Sequence, residues 1–129
     1  MQLSRMSMAW ADIVADLHRK RDVGNAAFGS ALNGIGQIAT LITDGPLSSF
    51  LYGWLSMHDL CLQQTDVTPY SGPYLCLSPL PSGMVEFRYI DTAIRDRQWH
   101  RVVPPHAAVA RFNAFLDQLG WMAGSTAMR

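Results

Sequence analysis

Cysteine and histidine are the residue types here best suited to covalent or metal chemistry, and the chain has two of the first and four of the second. His58, Asp59 and Cys61 lie within four positions of one another, and on a helix His58 and Cys61 would share a face. With Cys76 and either His100 or His106 they suggest a tetrahedral zinc set, since structural zinc takes four such ligands. The spacing argues against it, because Cys76 stands between Leu75 and Leu77 with no second ligand close by. The same residues as a Cys–His nucleophile lack a third group to orient the base. Gly34, Gly36 and Ala39 spell G-x-G-x-x-A, with Asp59 twenty residues further on. That fingerprint cradles a pyrophosphate only between a strand and a helix, and residues 25–33 read as helix. The expectation is therefore no catalytic set, no metal site and no cofactor.

The segment 86–101 is the most distinctive. It holds four of the ten basic residues, three acids and three aromatics in 16 positions. Arg88, Arg95, Arg97 and Arg101 offer planar donors to carboxylate or phosphate. Tyr89 and Trp99 offer rings on which a base could stack. Glu86, Asp91 and Asp96 nearly cancel the charge, so cross-strand ion pairing over buried aromatics is the plainer account. Arg88, Asp91, Arg95, Arg97, Trp99, His100 and Arg101 are the candidate binding residues.

These side chains need a scaffold, and periodicity supplies one. Trp10, Ile13, Val14 and Leu17 recur at helical spacing, predicting a helix over 6–21 with Ser7 as N-cap. Phe28, Leu32, Ile35, Ile38 or Ala39, and Ile42 predict a second over 25–43, whose glycines would let another element approach closely. Leu47, Phe50, Leu51, Trp54, Leu55, His58 and Leu62 predict a third over 47–64. The period then changes to two. Strands are expected at 73–77, 84–92 and 98–103, joined by the turn 79–83 and the connector 93–97. Pro105 opens a helix over 105–119, Gly120 closes it, and 121–129 is a loose tail. Helices followed by strands make a single α+β domain over 1–129: N-terminal helices, a three-stranded antiparallel meander and a C-terminal helix.

Composition narrows the function classes. The chain is 129 residues long, 49% hydrophobic and 16% charged, which excludes wholesale disorder. Its net charge is zero, so no polyanionic partner is advertised. Two cysteines are too few for a disulfide scaffold, and Asp12 and Asp16 interrupt any signal-like run, so a cytoplasmic, reducing setting is expected. The 21 residues from 23 to 43 carry no charge, but four glycines and several amides make them too polar to span a membrane. These uncharged helices need cover, from the chain's own core or from a partner. The expectation is a small non-enzymatic bacterial binding protein. It would dock a protein partner or a second copy as a homodimer, through the uncharged helices and the Arg/Trp hairpin. The alternative is a small-molecule site or enzyme with a polar pocket around His58 and His100. Binding of single-stranded nucleic acid is the third and weakest option.

Overall fold

The uncharged run that begins at residue 23 is the centre of the fold. The computed structural model describes residues 7–66, 73–91 and 93–121. Within them, helix α1 spans Trp10–Val23 and α2 spans Ala26–Asp44. Strands β1 (Tyr52–Ser56), β2 (Asp59–Gln63), β3 (Tyr74–Pro79), β4 (Val85–Ile90) and β5 (Trp99–Val103) follow, then α3 (Ala108–Leu119). The class is α+β, and the sheet is a five-stranded antiparallel meander in chain order. The three-stranded expectation is thus too small by one hairpin.

That hairpin occupies 47–64, where a helix was expected. Pro46–Ser49 is a single 3₁₀ turn, and β1 and β2 follow, paired from Tyr52↔Gln63 to Ser56↔Asp59. The apolar spacing misleads because this part of the sheet is buried on both faces. Leu60 and Leu62 enter the main core, whereas Trp54 and Cys61 join a smaller cluster on the other side. A strand covered twice loses its polar alternation and reads as a continuous apolar run.

The three helices share one face of the sheet. Eight residues of α2 are buried, among them Ile35, Ile38 and Ile42, and α2 lies over β3 and β4 with α1 and α3 beside it. The lack of charge in this helix is explained by the chain's own core. Two glycines permit the close approaches. A Cβ at Gly34 would lie 3.1 Å from Pro105, and one at Gly53 would lie 2.6 Å from Trp10 Cη2. Trp10 is pinned there by donating Nε1–H to the Leu51 carbonyl at 3.1 Å.

Several boundaries move. α1 begins at Trp10, with Ala9 and not Ser7 at its N-cap. Met8 instead bridges to Gly53 at the outer edge of β1, and Ser7 N–H donates to Asp66 Oδ1. Residues 105–107 form a 3₁₀ turn ahead of α3. Asn25 caps α2, and Gly120, at φ 75°, closes α3. Met6, Thr92 and all of the expected tail except Trp121 lie outside the described residues. Among those described, no helix is long and apolar enough to cross a membrane.

Candidate functional site

Side chains alternate across a strand, so register decides which of them share a face. On the face away from the helices, one continuous row crosses all five strands: Trp54, Cys61, Cys76, Arg88 and His100. Cys61 and Cys76 are free thiols directly opposite one another, with 2.9 Å between their sulfurs. Arg88 donates to Asp59 Oδ2 at 3.2 Å and to Ser78 Oγ at 3.1 Å. Its Nε is buried without a hydrogen bond, 3.6 Å from Glu86 Oε1. Ring packing of Tyr74 against Trp54 closes one end of the row.

The two thiols are not equivalent. Cys76 has Arg88 as its other cross-strand neighbour, whereas Cys61 has Trp54. The hydrogen bond shared with Cys61 holds the Cys76 thiol below its ordinary value, and the Arg88 guanidinium adds to the effect against the cost of burial. Cys61 is pushed the other way, first by that bond and then by its own burial.

The second cluster lies at the opposite edge of the sheet. Asp91 is buried and accepts hydrogen bonds from the Ala93 and Ile94 amides, while its own N–H donates to Gln98 Oε1. These bonds shape the link between β4 and β5, where the 3₁₀ turn Arg95–Arg97 holds both arginines in solvent. Trp99 is half-buried, stacked on Tyr89 at 5.8 Å and tilted against Phe115 at 4.8 Å. Arg101 lies over Trp99, and Arg111 of α3 lies over Phe115. Burial raises the Tyr89 phenol above its ordinary value, with Asp91 adding to the shift. An open groove of about 350 Å³ runs between Arg88, Arg95, Gln98 and His100.

β5 is a terminal strand. No strand lies beyond it, and no backbone hydrogen bond from 99–103 leaves the sheet among the described residues. Arg101 Nη1 donates to the His100 carbonyl at 2.7 Å, so that carbonyl points away from β4. Backbone groups alternate along a strand, so His100 and Val102 turn their N–H and C=O outward. Among the described residues, Arg95, Arg97, Arg101 and Arg111 form no ion pair, in contrast to Arg88.

The candidate residues therefore divide. Arg95, Arg97, Trp99 and Arg101 gather at the β5 edge, Arg88 and His100 belong to the cysteine row, and Asp91 is a buried support. His58 does not join His100. It sits in the β1–β2 turn with its ring edge-on to Phe28 of α2, 5.0 Å away, so the pocket expected around both histidines is not formed. The G-x-G-x-x-A segment is the interior of α2, with no strand before it. Among the described residues, no three His, Cys, Asp or Glu side chains gather as a metal-binding group. Sequence reasoning missed the contact of Cys61 with Cys76 because it placed Cys61 on a helix. It also missed Arg111, which α3 carries back to the β5 edge.

Comparison with protein-family models, with curated proteins and with solved structures finds no match to this chain.

Proposed function

We propose that the protein is a binding module that takes an acidic, extended segment of a partner protein onto the free edge of β5. The observation that carries this reading is the pairing, among the described residues, of a strand edge with no neighbour and four arginines with no ion pair. Exposed edges invite strand addition, in which main-chain hydrogen bonds supply affinity and flanking side chains supply specificity. Val102 is 50% exposed on the face of this strand opposite Arg101 and offers an apolar contact there. Arginine and tryptophan together are favoured at interfaces.

The same charges disfavour a second copy as the occupant. Antiparallel self-pairing centred on β5 sets Arg101 against Arg101 of the other chain, and like charges directly opposite are destabilising. Nucleic acid is disfavoured by Trp99, whose ring is already packed by Tyr89, Phe115 and Arg101. The uncharged helix contributes to this reading only as scaffold, since its apolar face is spent on the core.

The test is fluorescence polarisation with a labelled peptide of about eight alternating glutamate and valine residues, matched to strand length. Expected are saturable binding that weakens with salt, and protection of the His100 and Val102 amides from hydrogen exchange. Arg101→Glu should abolish binding. Val102→Pro should do so too while leaving the fold intact, because proline is tolerated where the strand N–H faces solvent. No saturation up to about 1 mM would reject the reading. A stable dimer held through 99–103 would replace it with self-association.

A further inference from the structure

We infer that Cys61 and Cys76 are the site of a two-electron oxidation by a hydroperoxide, which closes a disulfide between β2 and β3. The inference stands on the face away from the helices and does not depend on the docking edge. The two thiols are held by strand register and not by a flexible loop, directly opposite and 2.9 Å apart. Their sulfurs have less than an ångström to travel to bonding distance. Few chance thiol pairs meet this way, since an unrelated buried cysteine ordinarily packs as a small apolar group.

The neighbours assign the roles. Cys76 lies between Cys61, with which it shares a hydrogen bond, and Arg88, whose charge favours a thiolate. Arg88 is fixed in turn by Asp59 and Ser78. Cys76 is the attacking sulfur and Cys61 the resolving one. The size of the oxidant follows from access. The cysteines are 4% and 6% exposed, which admits a molecule little larger than water but denies a bulky disulfide its in-line approach to sulfur.

The chemistry balances. The Cys76 thiolate attacks one oxygen of the peroxide, the O–O bond breaks, and hydroxide leaves and takes a proton to become water. Cys76 is now a sulfenic acid. The Cys61 sulfur attacks it, the S–O bond breaks, and the departing hydroxide takes the Cys61 proton. Two thiols and one hydrogen peroxide give one disulfide and two waters. Each sulfur loses one electron, and the peroxide gains two.

The full-length protein, reduced and desalted, is treated with equimolar hydrogen peroxide, then denatured, alkylated and digested with trypsin. Both cysteines fall in the single peptide 22–88, because no Lys or Arg lies between Arg21 and Arg88. That peptide should lose the mass of two hydrogens and take up no alkyl group, and a phosphine reductant should restore two alkylation sites. The same dose on denatured protein should react about tenfold more slowly, since the thiolate is then no longer favoured. In Cys61→Ser, a 1,3-dione should trap sulfenic acid on Cys76, and Cys76→Ser should give no such adduct. Two alkylatable cysteines after treatment of the folded protein would overturn the inference, as would a disulfide between chains. Equal trapping on Cys61 in Cys76→Ser would overturn the assigned order. If the serine variants fail to fold, the wild-type peptide decides alone.

Discussion

Cys76 and Arg88 face each other across β3 and β4, in the row that crosses the sheet away from the helices. Arg88→Met keeps the aliphatic stem and removes the charge. The Cys76 thiol should then titrate at higher pH, so the pH midpoint of its alkylation rate moves upward. An unchanged midpoint would show that Arg88 does not act on the thiol. Global stability should fall by only about 0–1 kcal/mol, because Arg88 is 38% exposed and its ion pairs are screened. The sign with pH follows from the direction of the shift. A depressed folded-state value means that the Cys76 contribution is complete above the ordinary thiol range and is lost as pH falls through the folded value. In Arg88→Met that loss should be smaller and complete at higher pH, as followed by urea titrations at several pH values.

Gly53 is the seat of Trp10, and a methyl group there has nowhere to go. Its Cβ would stand 2.6 Å from Trp10 Cη2 and 3.2 Å from Ile13 Cδ1. The indole cannot swing aside without breaking its bond to the Leu51 carbonyl. Gly53→Ala should therefore cost about 1–3 kcal/mol, as overpacking does. Trp10→Leu in the same chain should recover part of the loss. A denaturant midpoint equal to wild type in Gly53→Ala would contradict the packing described.

The elements legible in the sequence were those whose burial is one-sided. α1 and α3 each show one apolar stripe, and β4 alternates cleanly through Val85, Phe87 and Tyr89 because its other face carries Glu86 and Arg88. α2 was legible as a helix, but its role was not, since lack of charge marks a core and an interface alike. β1 and β2 were illegible for a physical reason. With Trp54 and Cys61 buried on one side and Leu60 and Leu62 on the other, the period of two vanishes. Their turn, Met57-His58, also has none of the Asn-Gly or Asp-Gly chemistry that flags a two-residue hairpin. Losing that hairpin hid the cysteine pair, because only strand register sets Cys61 against Cys76. At the β5 edge Trp99, Arg101 and Val103 were correctly set on one face. The third arginine-bearing element, α3, could not be tied to that edge without tertiary contacts.

Asp91 was a candidate for binding, but its carboxylate is turned inward, and its effect on docking should be indirect. It accepts the Ala93 and Ile94 amides and so sets the path into the turn that holds Arg95 and Arg97. Asp91→Ala leaves two part-buried amides without their acceptor, at a cost of about 1 kcal/mol. Asp91→Asn keeps an acceptor and should cost less than half as much. Peptide affinity should follow the same order, weakest in the alanine variant. Equal affinity in all three proteins would separate the turn from the docking edge.

Met57 is the one non-glycine residue with positive φ among those described, at 59°, and its side chain is 84% exposed. It is the first residue of the tight turn between Ser56 and Asp59, where the twist of the hairpin calls for left-handed backbone. An L-residue pays about 1–2 kcal/mol for that conformation, and here no packing offsets the cost. Its carbonyl accepts a hydrogen bond from Lys20 Nζ, which any residue at 57 preserves. Met57→Gly relieves the strain but gives the unfolded chain more freedom to lose, so the net gain should be about 0.5–1 kcal/mol. For a chain of this length that is roughly a 2–6 °C rise in melting temperature. Met57→Val should move the other way, because a β-branched side chain resists positive φ more strongly. Scanning calorimetry of the three proteins tests the order glycine above methionine above valine, and a destabilised glycine variant would mean that the Met57 side chain holds the hairpin in place.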